Sequence, residues 1–530
     1  MTGAYDAVVV GAGPNGLVAA NHLVDAGWSV LVLEAQPDVG GAVRSDRSVH
    51  PDFVHDTFSA FYPLAAASPN IKAFHLERYG LTWVHAPAVL ANPIDEGAHW
   101  AVLHRDREVT AALFDELAPG DGEAWLELCA QWDTIGGDIV DALLAPFPPV
   151  RAGARALARL RKVGGLEYVK ELLSPVTDVG KVRFRGEAPR ILLAGNAGHA
   201  DIPLDSAGSA VMGILLAMLG QTEGFPVPQG GSGMLTQALA TRLRSLGGDI
   251  RCSAEVVGID VDRGRVTAVR TRDDRYAVGR AVLADVLATN LYGKLLDPGD
   301  VPPKVARGMR SFRLDPGTIK VDWALDGPVP WATPTPYGAG TVHIADSVVQ
   351  MSEALAQVTA GAIPSDPFLL TGQMTTTDPT RSPAGTESLW AYTHVPHGAA
   401  YDGGGEGIRG TWDDDDCQRF ADRMQARMVK YAPDFESRIL ARRVLGPRQM
   451  ESLDANLQGG ALNGGTANLH QQLVFRPVPG LGRAETGVRG LYLASASAHP
   501  GGGVHGAPGM NAARAALAHE RAAAAFRLLT

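Results

Sequence analysis

The sequence predicts an α/β protein in which a Rossmann-like dinucleotide-binding domain, assembled from separated segments, is joined to a mixed α+β substrate domain. Three observations predict this fold class. A strand, glycine loop and helix stand at 5–34, a second glycine-rich turn with a helix and strands spans 226–285, and a glycine-rich segment at 495–509 precedes the last helical pattern. Because 530 residues exceed what one hydrophobic core usually supports, two or more domains are expected.

The first unit reads "YDAVVVGAGPNGLVAANHL". The apolar run Ala7–Val10 is typical of a strand buried on both faces of a parallel sheet. In the pattern that follows, Gly11 permits a tight turn, Gly13 lets a pyrophosphate approach the backbone and Gly16 lets helix pack on strand. The helix is predicted over 14–26, with a proline tolerated in its first turn.

A second strand, "SVLVLE", carries Glu34 at its end, and Ala35 follows it at the same site. An acid about 20 residues beyond the glycines accepts hydrogen bonds from a ribose 2′-hydroxyl and disfavours the 2′-phosphate of NADP. Strand, helix and acid agree, so we predict a dinucleotide site, which leaves FAD and NAD as the alternatives.

The pair Gly40–Gly41, with Arg44 three residues later, favours FAD. A second glycine pair would bring the loop back over the dinucleotide, and the planar guanidinium of Arg44 would neutralise pyrophosphate charge. A plain NAD-binding unit needs no such element. The alternative is an ordinary turn with a solvated arginine.

The middle of the chain returns to this domain. Apolar residues at i, i+4 and i+8 from Leu235 predict a helix, and 254–262 with 265–271 predict a hairpin. A buried strand is predicted at 282–285. We therefore assign 1–70, 225–292 and 475–530 to the dinucleotide-binding domain, and 71–224 and 293–474 to the substrate domain.

The substrate domain contains a helical subregion, with helices predicted over 108–117, from Asp121 onward and over 152–173. A basic stripe at helical spacing begins just before the last of these and continues into it: Arg151, Arg155, Arg159 and Lys162. The favoured interpretation is a solvated helix face. The alternative is a peripheral membrane contact through 151–173, in which an interfacial helix touches anionic lipid.

Charge and cysteine content exclude several classes. A net charge of −10 argues against nucleic acid as the main partner. The three cysteines form no CxxC, and "WDDDDC" at 412–417 predicts a helix cap with acids in the first turn, so no metal site is expected.

No charged and apolar leader precedes the strand at Tyr5, and no apolar run approaches the ~20 residues of a membrane span. A cytoplasmic protein is expected.

Three segments, "VVVGAGPNGLVAANHL", "PQGGSGMLTQALA" and "GLYLASASAHPGGGVHGAPGMNAA", together resemble the FAD-dependent phytoene desaturase-like oxidoreductases, within the wider amine-oxidase-like flavoproteins. The resemblance implies that the first glycines hold the FAD pyrophosphate and that the backbone of Val256 pairs with adenine. It further implies that the closing segment holds the isoalloxazine, with the last helix aiming its positive end at the flavin N1–O2 locus. The residues implied there are Ser495, Ala496, Gly503, Val504 and Gly506.

This sequence departs from the family at one place. Such desaturases commonly read Gly-x-Gly after the "LYL" strand, where Ser495 and Ser497 stand here. Their side chains would crowd the flavin region or form hydrogen bonds in it.

The resemblance implies a dehydrogenase or desaturase that transfers hydride from a C–H of a small hydrophobic, lipid- or isoprenoid-like substrate to flavin N5. A proton leaves the neighbouring carbon, and the candidate bases are His55, Asp56, His199, His499 and His505. His499 and His505 rank first because they flank the closing glycines. The alternatives are a flavin amine oxidase, although we see no clear sequence sign of an aromatic cage, and a flavin-binding partner protein without catalysis.

Overall fold

The computed structural model describes residues 5–529. The strands of that range form two seven-stranded sheets and three two-stranded ribbons, whose strands are two residues long. The longer strands, in chain order, are β1 Tyr5–Val10, β2 Val30–Leu33, β3 Ala88–Ile94, β4 His99–Leu103, β5 Asp249–Arg251, β6 Val256–Asp262, β7 Arg265–Thr271, β8 Arg275–Ala284, β9 Gly317–Leu325, β10 Ala339–Ile344, β11 Leu369–Gln373, β12 Glu387–Val395, β13 Ile439–Leu445 and β14 Leu491–Leu493.

The helices lie between and around these strands. In chain order they are α1 Pro14–Asp25, α2 Pro63–Ala67, α3 Pro69–Lys72, α4 Arg107–Leu117, α5 Asp121–Leu144, α6 Val150–Leu160, α7 Leu166–Leu173, α8 Val176–Arg183, α9 Glu187–Ala197, α10 Ser209–Thr222, α11 Gly233–Ser245, α12 Ala288–Asn290, α13 Pro303–Met309, α14 Val348–Thr359, α15 Met374–Thr377, α16 Asp414–Tyr431, α17 Pro447–Leu453 and α18 Ala507–Leu529. No helix within 5–529 is long and apolar enough to cross a membrane.

The first sheet joins the separated segments. Its order is β6-β7-β8-β1-β2-β5, and β14 pairs with β8. The strands β1, β2, β5, β8 and β14 run parallel, while β6 and β7 add an antiparallel hairpin. The inner strands are buried on both faces and carry aliphatic side chains, as expected for a parallel sheet covered by helices. Helices α1, α11 and α18 cover one face of it.

The second sheet has the order β13-β9-β12-β11-β10-β3-β4 and is antiparallel except for the pair β10–β3. Successive side chains of a strand point to opposite faces. One face, including Ile319, Val321 and Leu389, packs on apolar residues of α16 such as Phe420 and Met424. The opposite face carries polar and aromatic side chains, and it lines the cavity described below.

Two local predictions have clear outcomes. The single helix predicted over 152–173 is wrong: α6 and α7 are separate, because Gly164 and Gly165 have φ values of 112° and 64°, which end the helix. The predicted cap in "WDDDDC" is confirmed, since the carboxylate of Asp413 accepts a hydrogen bond from the N–H of Asp416.

Candidate active site

One cavity of about 560 Å³ reaches both sheets. At one end it is lined by the glycine loop after β1 and the end of β2. It continues past the segment after β14 to the polar face of the second sheet. Ten of the residues predicted to hold the dinucleotide line it: Gly11, Gly13, Glu34, Ala35, Gly41, Val256, Ser495, Ala496, Gly503 and Val504.

The glycine loop has the close contacts that its sequence predicts. Gly11 has φ 98°, and a Cβ on it would lie 2.8 Å from the Asp285 carbonyl oxygen. A Cβ on Gly13 would lie 2.9 Å from Asp285 Oδ2, so a side chain there would fill the cradle at the start of α1. Gly16 lies behind the loop, where a Cβ would meet the Gly11 carbonyl at 2.2 Å, so it serves helix packing rather than the cavity.

Glu34 stands at the end of β2 with its carboxylate in the cavity wall. The N–H of Ala12 donates to its Oε2 at 2.7 Å, and the N–H of Gln36 donates to its Oε1 at 2.9 Å. These two bonds fix the carboxylate between the glycine loop and the strand end. Each oxygen keeps a lone pair that can accept a ribose hydroxyl.

The second glycine pair returns to the first loop. The N–H of Gly40 donates to the Ala12 carbonyl at 2.9 Å, and a Cβ on Gly41 would lie 3.1 Å from Gly13 Cα. Arg44, however, does not line the cavity. Its Nη2 donates to the Leu453 carbonyl at 3.1 Å and its guanidinium lies 5.4 Å from the ring centroid of Phe58. Its contact with a pyrophosphate therefore stays a prediction.

Two further carboxylates line the dinucleotide end of the cavity. Asp285 is buried, and the N–H of Gly16 donates to its Oδ2 at 2.8 Å. Burial raises its pKa to about 8, aided by the negative charges of Asp454 and Glu34 and opposed by the Gly16 bond. Burial also raises the pKa of Asp454 to about 6. This end of the cavity is therefore rich in acids that favour the neutral form.

The segment after β14 forms the middle of the cavity wall. Ser495 Oγ donates to the Val286 carbonyl at 2.7 Å, while Ser497 Oγ donates to the Gly464 carbonyl at 2.8 Å and accepts from the Ala288 N–H at 3.0 Å. The two serines that depart from the family pattern thus satisfy backbone groups. Gly503, with φ 102°, lines the cavity. Gly506, which directly precedes α18, packs against Val18 of α1 instead.

The two histidines that rank first as bases do not line the cavity. His505 Nδ1 accepts from the Ala507 N–H at 3.1 Å, and its Nε2 lies 3.2 Å from the Gly502 carbonyl, so its ring caps α18. His499 is buried with its ring 5.9 Å from that of Phe147. Burial lowers the pKa of both histidines to about 4. A base role for either stays a prediction.

Of the remaining candidate bases, His199 lines the cavity, and His55 and Asp56 do not. His55 Nε2 lies 3.1 Å from the Trp323 carbonyl. Asp56 accepts from the Ser232 N–H at 2.7 Å and from Arg381 Nη1 at 3.0 Å, with both side chains fully buried. These contacts indicate a structural role for the pair His55–Asp56.

The substrate end of the cavity contains residues that the sequence analysis did not select. They are Thr318, Lys320, Thr341, Trp390, Tyr392 and His394. In the register of β9 and β12, Lys320 lies opposite Tyr392 and Thr318 opposite His394. Polar residues at every second position of an otherwise apolar strand, as in "TIKVDWAL" and "ESLWAYTHV", are the signal that would have found this face.

Lys320 is buried in a network that reaches the first sheet's loops. Its Nζ donates to the Asp56 carbonyl at 2.9 Å and pairs with Asp322, whose other oxygen accepts from Arg443 Nη2 at 2.9 Å. Burial lowers the pKa of Lys320, and the charge of Asp322 opposes that shift. Lys320 Nζ also lies 5.9 Å from the ring centroid of Trp390, so its ion pair with Asp322 stands at this end of the cavity.

Family models match two parts of the chain. Residues 9–77 match the NAD(P)-binding Rossmann-like domain, and residues 135–386 match the flavin containing amine oxidoreductases. Over 96% of its length the chain is 26% identical to the pyridine nucleotide-disulfide oxidoreductase domain-containing protein 2 of Mus musculus, covering 92% of that protein. It is 25% identical to a lycopene-forming phytoene desaturase of Pseudescherichia vulneris, covering 96% of this chain and 98% of the relative. The chain is an FAD-dependent oxidoreductase that is similar to the phytoene desaturases and to the flavin containing amine oxidoreductases.

Solved structures agree with the fold of this flavoenzyme. An oxidoreductase from Methanosarcina mazei superposes with a TM-score of 0.60 at 15% identity, covering 96% of this chain and 99% of the other. A putrescine oxidase bound to putrescine gives a TM-score of 0.59 at 18% identity, covering 98% and 99%. The predicted α/β fold class, the resemblance to these flavoproteins and FAD as cofactor are confirmed.

The residues present fit FAD. The glycine cradle at Gly13 leaves room that a Cβ would fill, Glu34 offers free lone pairs, and Val256 stands at the same end of one continuous cavity. When bound, FAD supplies a hydride acceptor. Glu34 and the glycine loop would hold its ribose and pyrophosphate, and the segment from Ser495 to Val504 would hold its ring system.

Proposed function

We propose that this flavoenzyme is a dehydrogenase of the desaturase type that acts on a hydrophobic, lipid- or isoprenoid-like substrate. The observation that carries the proposal is the apolar wall of the cavity beyond the dinucleotide end. Five apolar side chains from α2, α10 and neighbouring loops form it: Phe61, Leu64, Met212, Leu216 and Phe225. Such a wall binds an apolar body by removing its surface from water, and it keeps water away from the reacting carbon.

The chain's own residues have three tasks in this reaction. The apolar wall orients the substrate, while the glycine loop and Glu34 hold the cofactor. The proton that leaves the neighbouring carbon needs an acceptor within hydrogen-bond reach. Among the five bases named from the sequence, His199 alone lines the cavity, and burial lowers its pKa to about 3. Its imidazole is therefore neutral at pH 7, and to accept this proton one of its nitrogens must give up its present contact with the Tyr392 hydroxyl or with His343 Nε2.

The test begins with the FAD-loaded protein and the apolar molecules extracted from it, identified by mass spectrometry. Anaerobic mixing with such a molecule is expected to bleach the flavin absorbance. Leu216→Asp should abolish this bleaching and leave the FAD content unchanged, because Leu216 lines the substrate end. The control Leu246→Asp changes an exposed leucine and should bleach like the wild type. A protein that binds no FAD, or whose flavin no apolar extract reduces, would contradict the proposal.

Oxidation of an amine is the second candidate, and one observation favours it. Trp390 and Tyr392 line the cavity as a stacked pair with ring centroids 5.9 Å apart and an interplanar angle of 27°. Aromatic faces attract cations. The sequence carries no clear sign of this pair, since two strand residues at i and i+2 are a common pattern. Anaerobic bleaching by a primary amine, with no bleaching by apolar extracts, would select this candidate.

We also infer that α6 and α7 contact an anionic membrane surface. Leu157 and Leu166 are 70% and 80% exposed on these helices. Between 150 and 183 stand eight basic and three acidic residues, in a chain whose net charge is −10. Exposed leucines flanked by basic residues match the composition of helices that lie in an anionic interface.

The basic stripe is divided between two tasks. Arg155 Nε donates to Asp138 at 2.8 Å, and Arg159 Nη1 lies 3.0 Å from the same carboxylate, so both arginines fasten α6 to α5. Among the described residues, Arg151 and Lys162 form no ion pair and stay available to lipid phosphate.

Sedimentation with vesicles tests this contact. The wild-type protein should cosediment with vesicles containing phosphatidylglycerol and much less with pure phosphatidylcholine. Leu157→Asp combined with Leu166→Asp should lose the binding. The matched control Val349→Asp changes a valine that is 67% exposed on α14 and should bind like the wild type. Equal sedimentation of the double variant and the control would refute the contact.

A further inference from the structure

A chain of buried rings ends in the substrate half of the cavity. The Tyr392 hydroxyl lies 3.3 Å from His199 Nδ1, and His199 Nε2 lies 3.1 Å from His343 Nε2. Tyr392 and His199 line the cavity, and His343 stands behind them with no exposed surface. The reaction proposed above uses none of these contacts except the His199 ring itself.

The contact between two Nε2 atoms requires that one donates and the other accepts. Burial lowers the pKa of His199 to about 3 and that of His343 well below its ordinary value, so both rings are neutral at pH 7. If His199 donates to His343, then His199 Nδ1 accepts from the Tyr392 hydroxyl, whose oxygen is left to accept from a ligand. If His343 donates, the Tyr392 oxygen accepts from His199 and its proton is free to be donated.

His394 is the second unusual group in this half. Its side chain is 4% exposed and lines the cavity, and neither ring nitrogen completes a hydrogen bond in the described chain, although the Gly198 backbone lies beside the ring. Burial lowers its pKa. A buried polar group that completes no hydrogen bond is unfavourable, and a ligand atom that bonds to it would recover part of this cost.

The charges around these groups disfavour a ligand that carries an ammonium group. The carboxylates that line the cavity within the described residues are Glu34, Glu255, Asp285 and Asp454, all at the dinucleotide end. At the substrate end the charged lining residue is Lys320. Asp201, which faces His394 from the loop after α9, is bound by Thr466 and Ala467 and does not line the cavity. An ammonium group would meet no unpaired carboxylate in the lining here, since Asp322 already pairs with Lys320.

We propose that the substrate carries a neutral oxygen function, a hydroxyl or a carbonyl, on its apolar body, and that Tyr392 and His394 bind this oxygen. The hydrogen bonds of the Tyr392–His199–His343 chain can run in either direction. One direction leaves the tyrosine hydroxyl as an acceptor for a ligand hydroxyl, and the other leaves it as a donor to a ligand carbonyl. This inference rests on the proposed function. It narrows the substrate class of that function from a plain hydrocarbon or an amine to an oxygenated lipid.

Calorimetric titration of the FAD-loaded protein at pH 7 with three matched ligands tests it. The ligands are octan-1-ol, octan-2-one and octylamine, which is an ammonium ion at this pH. The alcohol or the ketone is expected to bind about 10-fold more tightly than the amine. Tyr392→Phe and His394→Leu should each weaken the oxygenated ligand by roughly 3- to 10-fold, as the loss of one buried hydrogen bond predicts. Tyr401→Phe makes the same substitution at a tyrosine that is 59% exposed and lies outside the cavity, and it should leave all affinities within about 2-fold.

Three results would overturn the assignment. Octylamine equals or exceeds both oxygenated ligands in affinity, the two polar variants behave like Tyr401→Phe, or no ligand gives binding heat. The heat of ligand binding is measured whether or not flavin is reduced. A protein that prefers the oxygenated ligands but never bleaches would therefore contradict the desaturase proposal alone.

Discussion

Asp285 gives the sharpest pH prediction. Its carboxylate is buried beside the glycine loop, and its Oδ2 accepts the Gly16 N–H at 2.8 Å. Burial is the largest cause that raises its pKa to about 8 from the ordinary value of 3.8, and the charges of Asp454 and Glu34 act in the same direction. The Gly16 hydrogen bond opposes the shift without reversing it. At pH 7 the folded protein therefore holds a proton here that the unfolded chain has lost.

The sign of the effect on stability follows from this difference in proton binding. The stabilising contribution is complete below the unfolded pKa near 4 and is lost as the pH rises through the folded pKa near 8. Within that window the loss is at most about 1.4 kcal/mol of unfolding free energy for each pH unit. Asp285→Asn keeps an oxygen for the Gly16 N–H and has no proton to lose. Its stability relative to the wild type should therefore rise steadily from pH 5 to pH 8.

The assay is thermal unfolding of the FAD-free protein at pH 5, 6, 7 and 8, with Asp262→Asn as the control. Asp262 is 71% exposed in the hairpin turn, so this variant should follow the wild-type profile. Parallel profiles for the wild type and Asp285→Asn would refute the reasoning. FAD titration adds a second measurement: above pH 8 the ionised carboxylate stands beside the predicted pyrophosphate site at Gly13, and wild-type affinity should fall more steeply than that of Asp285→Asn.

Two further substitutions test the site and its support. Glu34→Gln places an amide NH₂ against one of two N–H donors, so the dissociation constant for FAD, read by flavin fluorescence, should rise about 10-fold or more. Glu255→Gln changes a half-exposed acid in the same cavity and should stay within roughly 2-fold, and equal effects would contradict a special role for Glu34. Arg381→Ala leaves Asp56 and Asp378 buried without their cation, which should cost about 3–5 kcal/mol. Arg381→Lys keeps a positive charge and should therefore lose less stability than Arg381→Ala. An unchanged unfolding midpoint in Arg381→Ala would refute the estimate.

The sequence predicts the dinucleotide end well because its signals are local. The run from β1 through the glycine loop to α1 spans about twenty consecutive residues. At each glycine of the loop, a side chain would come too close to a neighbouring atom. The predicted helix over 14–26 ends within one residue of α1, and the strand predicted at 265–271 coincides with β7. Strand, turn and helix of this kind are determined by neighbours in the chain.

The substrate end is not predicted because its residues meet only across strands. Lys320 and Tyr392 lie directly opposite each other in the register of β9 and β12. The sequence of neither strand indicates that it will pair with the other. The choice of His499 and His505 shows the converse. Both stand within a few residues of glycines that line the cavity, yet His505 turns its ring back to cap α18. Proximity in sequence to a cofactor segment does not fix the direction of a side chain.

The wall between the two ends is built by hydrogen bonds between distant segments, and this explains the two serines that depart from the family pattern. Arg476 is fully buried without a carboxylate partner, and it donates to the carbonyls of Asn463, Gly465, Thr466 and Ala496. Ser497 joins the same loop through the Gly464 carbonyl. A glycine at 497 would leave that carbonyl and the Ala288 N–H unpaired. The Ser497 hydroxyl thus joins the loop at 463–466 to the segment after β14, while Ser495 holds the same segment through the Val286 carbonyl.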